Sequence, residues 1–258
     1  MKKLFAVIII SAMLAAMALY LFGCGKKSEK LVLGFDADFP PYGYEEDGKF
    51  VGFDIEYAEK VCANLGYELE LKPIDWDAKD TLLESGAIDF IWNGFTYEGR
   101  ENGYEWTVRY LDNSIVVLTL DSSITSLSDL AGKKVAVQSD SSGEAALEEN
   151  TELTSTFKGG TFSLEADYTT AYTKLKAGSY DAVVVDIGVA KYLKSADAGL
   201  IIVSEEVSKE TYAVGFKKGN TDLCKKISDE MINVAKDTAF IQSLCDKYGV
   251  DYNSFLLK

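Results

Sequence analysis

The chain has 258 residues, with 26 lysines and arginines against 41 aspartates and glutamates, and its formal net charge is -15. So acidic a chain lacks the clustered positive charge that grips nucleic-acid phosphates, which excludes a nucleic-acid-binding function. The sequence contains no histidine, which excludes Ser-His-Asp and Cys-His catalysis and imidazole metal ligands. Hydrophobic residues make up 47% of the chain, enough for the packed core of one large or two modest domains.

Residues 1–23 have the pattern of a secretory signal peptide. Lys2 and Lys3 precede an apolar run over residues 4–22, the order of the charged and hydrophobic regions of a signal. A retained membrane helix is the alternative, because a run of this length also just spans a bilayer. The next residues favour the signal peptide, since Leu21-Phe22-Gly23-Cys24 resembles the lipobox of bacterial lipoproteins, in which the cysteine is diacylated and becomes the mature N-terminus.

Residues 24–30 are predicted to be a lipidated linker, polar and without periodicity. Two acyl chains on Cys24 would supply the two hydrophobic signals that stable anchoring requires. We therefore expect a folded body outside the cytoplasm, tethered to the bacterial cell membrane by lipid.

Three cysteines remain in the body, an odd number without Cys-x-x-Cys spacing. Cys62 lies on the apolar face of a predicted helix, where a small buried thiol is the ordinary interpretation. Cys224 and Cys245 could form a disulfide if the last two helices pack together. The sequence leaves this open, since the number and spacing of cysteines never fix their connectivity.

From Lys30 onward, short apolar runs alternate with helical patterns, which favours an α/β fold with largely parallel strands. The predicted strands, in chain order, are 31–35, 68–73, 89–93, 114–120, 134–138, 182–185, 201–203 and 212–216. The predicted helices are 53–65, 81–84, 126–132, 143–149, 169–177, 223–235 and 240–248. No Pro-rich or Gly-rich linker separates two halves. A domain boundary must therefore lie within ordinary strands, as when a chain crosses between two lobes and later returns.

Polar residues follow three of the predicted strands. Asp36 follows the first, Asn93-Gly94-Phe95-Thr96 follows 89–92, and Asp186 follows 183–185. Open α/β sheets bind ligands beyond such strand ends. A fourth junction, Ser139-Asp140-Ser141-Ser142-Gly143, places free backbone N–H groups at a helix start, which is a ready anion site.

Each of these signals has an ordinary structural interpretation, since an aspartate after a strand usually makes a turn and serines before a helix usually cap it. Together with Arg100, however, they provide donors for a carboxylate and acceptors for an ammonium group. This combination is complementary to an α-amino acid.

The order of several motifs resembles the polar amino-acid-binding proteins of ABC importers, bacterial solute-binding protein family 3. The resemblance runs from about Lys30 to the C-terminus. The motifs are Leu31-Val32-Leu33-Gly34-Phe35-Asp36, Gly52-Phe53-Asp54-Ile55, Asn93-Gly94-Phe95-Thr96, Arg100, Asp129-Leu130-Ala131-Gly132-Lys133 and Asp181-Ala182-Val183.

The resemblance implies a type II periplasmic-binding-protein fold, the two-lobe α/β Venus-flytrap with two hinge crossings. The crossings are expected near residues 110–113 and 209–212. Lobe 1 would comprise residues 31–110 and 213–258, and lobe 2 would comprise residues 111–212. The ligand would bind between the lobes.

The resemblance also implies roles for individual residues. Arg100 would bind the ligand carboxylate, helped by the backbone N–H groups of Thr96 and Ser142. Asp186, the Gly94 carbonyl and the Thr96 hydroxyl would accept from the ammonium. Aromatic walls would sandwich the side chain, and an aspartate would touch its polar end. The full predicted ligand set is Asp36, Phe39, Trp76, Asn93, Gly94, Thr96, Arg100, Ser141, Ser142 and Asp186.

Three points in this assignment stay open. Phe39 and Trp76, taken alone, are ordinary core residues. Asp36 could bond its own loop instead of the ligand. Asp140 stands where the family commonly has glycine, which puts a negative charge beside the expected carboxylate site.

The sequence thus predicts a lipid-tethered receptor that delivers a polar or cationic α-amino acid to an ABC permease with its separate ATPase. Glutamine, arginine, lysine, histidine and cystine all remain candidate ligands. We expect no cofactor, no metal and no chemistry on the ligand. The alternatives are a ligand sensor for a membrane receptor and an enzyme on the same fold, such as a dehydratase with a carboxyl general acid.

Overall fold

The computed structural model describes residues 29–258. The predicted signal peptide and the lipidation site Cys24 lie outside these residues. Within them, the chain forms the strands β1 (Lys30–Phe35), β2 (Asp38–Phe39), β3 (Gly43–Glu46), β4 (Lys49–Val51), β5 (Glu68–Pro73), β6 (Phe90–Ile91), β7 (Glu105–Trp106), β8 (Leu111–Thr119), β9 (Val135–Gln138), β10 (Ser163–Glu165), β11 (Ala182–Asp186), β12 (Ile201–Ile202), β13 (Ser208–Tyr212) and β14 (Gly215–Phe216).

The α-helices of the same residues alternate with these strands. They are α1 (Phe53–Leu65), α2 (Lys79–Ser85), α3 (Ser142–Glu149), α4 (Thr151–Thr154), α5 (Tyr168–Lys176), α6 (Ile187–Ala196), α7 (Thr221–Ala235) and α8 (Thr238–Tyr248). Short 3-10 turns occur at Trp76–Ala78, Leu127–Leu130 and Tyr252–Ser254.

Helix α1 shows why the local predictions succeed. Its apolar residues recur on one face, so that Ile55, Ala58 and Val61 are fully buried. Gly66 ends the helix in the left-handed conformation, with φ of 80°, which glycine adopts without steric cost. Helix α1 and strand β5 have the predicted bounds.

Two sheets and a small antiparallel sheet organise the chain. The first large sheet has the strand order β5-β1-β6-β14-β7, with β1 parallel to β5 and β6. The second has the order β10-β9-β11-β8-β12, and β13 also pairs with β8. The third contains β2, β3 and β4. We propose that the lobes have the predicted boundaries, because all strands of the first large sheet lie within lobe 1 and all strands of the second lie within lobe 2.

The prediction of largely parallel strands was incomplete, because both large sheets are mixed. In lobe 2, β8 runs antiparallel to β11, β12 and β13. In lobe 1, β14 runs antiparallel to β6 and β7. The predicted strand 212–216 is also divided, since Tyr212 ends β13 and β14 begins only at Gly215. The antiparallel strands are those at which the chain passes between the sheets.

The two expected hinge crossings lie side by side. Strand β8 leaves lobe 1, strand β13 returns to it, and the two pair antiparallel from Ser208 opposite Ile115 to Tyr212 opposite Leu111. Backbone hydrogen bonds therefore join the two connections, and the lobes are linked by one ribbon.

The lobes are packed against each other across the cleft. Phe39 of lobe 1 faces Tyr168 of lobe 2, with ring centroids 5.9 Å apart. Tyr44 of lobe 1 lies 5.5 Å from Tyr192 of lobe 2 in the same measure. One buried hydrophobic cluster is continuous through both lobes, as expected of a closed cleft.

Among residues 29–258, no helix has the length and apolar character needed to cross a bilayer. Cys62, Cys224 and Cys245 are buried free thiols, so the structure does not contain the alternative disulfide between the last two helices.

Gly188 lies where the two lobes are in close contact. It lies in the first turn of α6, and a Cβ at this position would come within 2.7 Å of Tyr42 Cζ across the cleft. The Tyr42 ring cannot move aside, because it is 2% exposed and stacks on Phe39. The closed form thus requires the absence of a side chain at residue 188.

We predict that Gly188→Ala forces the lobes apart. Overpacking costs about 1–3 kcal/mol, so the closed form loses stability and the radius of gyration measured by small-angle X-ray scattering increases. Ser195→Ala, on an exposed part of the same helix, is the control and should leave the radius of gyration and the melting temperature unchanged. A Gly188→Ala protein with the wild-type radius and melting temperature would contradict the prediction.

Candidate functional site

All ten predicted ligand residues line one cavity between the lobes. The cavity encloses about 290 Å³ of non-atom space, a figure that includes open solvent. The structure adds an eleventh lining residue, Gln138, at the end of β9. Residues far apart in sequence meet here because several strands of both sheets end at the cleft.

Arg100 lines the cavity. One terminal nitrogen of its guanidinium donates a 3.1 Å hydrogen bond to the Asp140 carbonyl. The guanidinium carbon lies 5.4 Å from the centre of the Phe95 ring, a cation–π contact that orients the group. No carboxylate among residues 29–258 forms an ion pair with it. The fork of remaining N–H donors suits an anion.

Asp140 lies beside Arg100, as the sequence predicts, and its negative charge has a cationic partner. Its carboxylate forms an ion pair with Lys79 of lobe 1, whose side chain is 1% exposed. Burial lowers the pKa of Lys79, and the bond to Asp140 opposes this effect. The backbone of Asp140 has a φ of 56°, in the left-handed region that favours glycine. The position thus has glycine-like geometry, and its side chain joins the lobes.

The two serines at the start of α3 have different roles. Ser141 caps the helix, since its Oγ accepts from the Glu144 N–H at 3.1 Å. Its hydroxyl also donates to the Gln138 carbonyl at 2.7 Å. The Ser142 hydroxyl donates instead to Glu210 at 3.2 Å. The ordinary capping role is therefore correct for the side chain of Ser141, although both serines line the cavity.

Asp186 lines the same cavity, at the junction of β11 and α6. It is 3% exposed, and its Oδ1 accepts from Asn113 Nδ2 at 2.8 Å and from the Tyr212 hydroxyl at 2.5 Å. Burial raises the pKa of Asp186, and these hydrogen bonds oppose the effect. No basic side chain among residues 29–258 forms an ion pair with it.

Asp54 binds the backbone of the loop that follows β6. The Gly94 N–H donates to Asp54 Oδ2 at 2.6 Å, and the Tyr110 hydroxyl donates to Oδ1 at 2.8 Å. Burial raises the pKa of Asp54 to about 7. Gly94 itself has a φ of 54°, and a Cβ there would lie 2.7 Å from Phe39 Cε1, so glycine allows the loop to approach the aromatic wall.

Asp36 bonds both its own loop and the other lobe. Its Oδ1 accepts from the Asp38 N–H at 2.8 Å, and its Oδ2 accepts from Gln138 Nε2 at 2.7 Å. Burial raises the pKa of Asp36 to about 6. Asn93 Oδ1 accepts a 2.8 Å hydrogen bond from the Asp36 N–H. Asn93 Nδ2 is buried without a hydrogen-bond partner among the described residues. Asp36 therefore does bond its own loop, and it also lines the cavity.

Phe39 and Trp76 combine the two interpretations that the sequence left open. They are 6% and 9% exposed, as core residues are, and both also line the cavity. Trp76 packs edge-on against Phe95 at 5.5 Å. Its indole N–H donates to the Asp140 carbonyl at 3.2 Å, so this wall, too, is fixed to the opposite lobe.

Glu210 contacts two residues that line the cavity, Thr96 and Ser142, and the sequence reasoning missed it. It is 6% exposed on the returning hinge strand β13. Its Oε1 accepts from the hydroxyls of Thr96 at 2.9 Å and Ser142 at 3.2 Å. Burial raises the pKa of Glu210 to about 7, and the nearby charge of Asp186 adds to this effect. No motif marks it, because a glutamate within a five-residue strand reads as an exposed position.

The site has an excess of carboxylates. Asp36, Asp186 and Glu210 are all buried, and Arg100 is the cationic side chain that lines the cavity. Among residues 29–258, no group of three or more cysteine, aspartate or glutamate side chains is arranged to hold a metal ion. The arrangement is complementary to a small molecule with one anionic group near Arg100 and cationic groups near the acids.

The comparisons with known proteins agree with this geometry. The chain is 30% identical over 233 residues to the L-cystine-binding protein TcyJ of Escherichia coli, covering 88% of this chain and 85% of that protein. It is 32% identical over 222 residues to the arginine-binding extracellular protein ArtP of Bacillus subtilis, covering 80% and 82%. A substrate-binding protein of an ABC uptake transporter from Streptococcus pneumoniae, solved with bound histidine, superposes with a TM-score of 0.81 at 32% identity, covering 85% and 92%.

The structural similarity confirms the predicted fold class, the two-lobe type II architecture of periplasmic binding proteins. The family model of the bacterial extracellular solute-binding proteins, family 3, matches residues 31–251. The chain belongs to the bacterial extracellular solute-binding proteins of family 3.

Proposed function

We propose that the protein captures a polar or cationic α-amino acid in the cleft between its lobes and delivers it to an ABC permease powered by a separate ATPase. One observation carries this proposal. Arg100, which has no carboxylate partner among the described residues, and the buried Asp186, which has no cationic partner there, line one cavity. The buried Glu210, likewise without a cationic partner, contacts the cavity residue Ser142. The relatives' names, which include cystine and arginine as ligands, support an amino acid as the ligand class.

At the anionic end of the ligand, Arg100 binds the α-carboxylate. In the structure its guanidinium already donates to the Asp140 carbonyl, which keeps it at the cleft. The first N–H groups of α3 have no partner within the helix, and the helix dipole favours negative charge at this end. The site therefore draws on both lobes to hold the carboxylate.

Asp186 accepts a hydrogen bond from the α-ammonium group of the ligand. The Gly94 carbonyl and the Thr96 hydroxyl accept from the same group. The present donors to Asp186 are neutral, an amide and a phenol. An ammonium group is a stronger partner for a buried carboxylate than either, because the hydrogen bond is charge-assisted.

The ligand side chain lies between Phe39 and Trp76 and ends near Asp36. Because Asp36 is buried and its present partners are an amide and a backbone N–H, it favours a side chain that ends in donors. Arginine, lysine and glutamine satisfy this requirement directly.

Ligand binding stabilises the closed arrangement, because the groups that contact the ligand come from both lobes. We infer that the protein works outside the cytoplasm and that a lipid on Cys24 tethers it to the cell membrane. The permease then receives the closed, loaded form.

We also infer that the ligand is bound without chemical change. Asp36 and Glu210 do have the raised pKa that a general acid needs. Asp36, however, accepts with both oxygens and Glu210 accepts with Oε1 from neutral side-chain or backbone donors, and the family is one of solute-binding proteins. Recovery of the bound amino acid unchanged after prolonged incubation would support this inference, whereas turnover would favour the dehydratase alternative.

A thermal-shift screen over the amino acids tests the proposal directly. A ligand at 100 times its Kd stabilises the folded state by about 2.7 kcal/mol, so a true ligand raises the melting temperature by several degrees. We expect arginine, lysine, glutamine, histidine or cystine to give this shift and acidic amino acids to give none. A flat screen would contradict the proposed function.

We predict that Arg100→Ala and Asp186→Ala each weaken binding of the ligand found in that screen. Loss of one partner of a buried charge pair costs about 2–5 kcal/mol, measurable by titration calorimetry. Arg109→Ala and Asp112→Ala are the controls, since both side chains are exposed. Wild-type affinity in both site variants would show that the ligand binds elsewhere.

We predict an unusual dependence on pH. Asp36, Asp54 and Glu210 titrate near 6, 7 and 7 in the folded state, above ordinary values of 3.8, 3.8 and 4.5. Between these values the folded state binds more protons than the unfolded state, so the free energy of unfolding of the ligand-free protein falls as pH rises through this window. Protons compete with a cationic ligand there, so its affinity rises over the same window.

Urea unfolding at pH 5 and pH 8 measures the first effect, and calorimetry at the same two values measures the second. Glu210→Gln removes one of the titrating groups and should reduce the pH dependence of unfolding. An unfolding free energy that instead rises steadily from pH 5 to pH 8 would contradict the prediction.

A further inference from the structure

Glu210 is not explained by the roles assigned so far. It lies on hinge strand β13, directly opposite Asn113 of β8 in the antiparallel pairing. Thr96 of lobe 1 and Ser142 of lobe 2 both donate to its carboxylate. These two residues line the ligand cavity.

The carboxylates of Glu210 and Asp186 share one donor. Asn113 Nδ2 donates to Glu210 Oε1 at 2.7 Å and to Asp186 Oδ1 at 2.8 Å. The two acids therefore flank a single amide nitrogen, one on the hinge strand and one at the start of α6. Asn113 Oδ1 is buried nearby and has no partner among residues 29–258.

Nothing in the described part of the chain neutralises this pair of acids. No lysine or arginine of residues 29–258 forms an ion pair with either carboxylate. Two ionised groups so close in a buried site repel each other and lose their hydration. Burial raises the pKa of each, and for Glu210 the charge of Asp186 adds to the effect.

The free acceptors of this cluster match an ammonium group. All three hydrogen bonds to Glu210 go to Oε1, which leaves Oε2 for a further donor. An ammonium group has three N–H donors and a positive charge, and the cluster offers Asp186, Glu210 and the unpartnered Asn113 oxygen.

We propose that Glu210 is a second carboxylate for the α-ammonium of the ligand, acting beside Asp186. This inference rests on the proposed function and adds a binding residue to it. A consequence is that the ligand touches a hinge strand directly, and so senses the position of that strand as well as the two lobe surfaces. The site then selects for an α-amine by two charges from two different elements.

The test compares each amino acid with the same molecule lacking its α-amine. The matched probes are L-arginine with 5-guanidinopentanoic acid, L-glutamine with glutaramic acid, and L-histidine with imidazolepropanoic acid. Affinities are measured by titration calorimetry for the wild type and for Glu210→Gln, a variant that keeps the shape and the Oε1 acceptor.

We expect Glu210→Gln to weaken binding of the amino acid by about tenfold or more, the effect of one charged hydrogen bond. Binding of the amine-free probe should change by less than about twofold, because its hydrogen bond to residue 210 is absent. Glu210→Asp keeps the charge on a shorter side chain and should lose less affinity than Glu210→Gln. If circular dichroism shows that Glu210→Gln folds poorly, the affinities of Glu210→Asp for the two probes of each pair provide the test instead.

Glu206→Gln is the matched control, because Glu206 is an exposed acid just before β13 that pairs with Lys209. It removes the same charge without touching the site and should bind as the wild type does. Equal losses for the amine and amine-free probes in Glu210→Gln would assign Glu210 a structural role and overturn this inference. A wild type that binds none of the amino acids would instead refute the proposed function itself.

Discussion

The burial of carboxylates without cationic partners is the constraint on which the cleft depends. Asp36, Asp186 and Glu210 are each held by amides, hydroxyls or backbone N–H groups, so their negative charge is solvated by dipoles and not neutralised. The fold supplies those dipoles from both lobes and from the hinge. A cationic ligand group completes the electrostatics of a site that the protein alone leaves incomplete, and closure of the lobes gives that group a low-dielectric surrounding in which attraction is strong.

Much of the site followed from local sequence, for a physical reason. Asp36, Asn93 and Asp186 come directly after buried strands, and chain geometry alone places such residues at the edge of a sheet. Helix α1 and its terminal glycine were predictable because an apolar face and a left-handed stop are local features. The chain order of these features, with Arg100 following the second, was enough to suggest an amino acid as the ligand.

The residues that escaped prediction depend on pairings distant in sequence. Glu210 is set opposite Asn113 by the register of two hinge strands, and Gln138 reaches Asp36 only when the lobes meet. Asp140 was noticed as an unusual residue, but its partner Lys79 belongs to the other lobe. Contacts across a closed cleft have no local pattern, so the antiparallel pairing of the hinge strands and the contacts between lobes were found only in the folded chain.

The three cysteines of the described residues have a practical consequence. Burial raises the pKa of Cys62 to about 12 and those of Cys224 and Cys245 to about 11, and buried thiols of this kind are inert toward modifying reagents. A cysteine introduced on an exposed rim of the cleft would then be the reactive thiol of the folded body. An environment-sensitive dye attached there would report opening and closing of the lobes, which makes this body a ready scaffold for an optical amino-acid sensor.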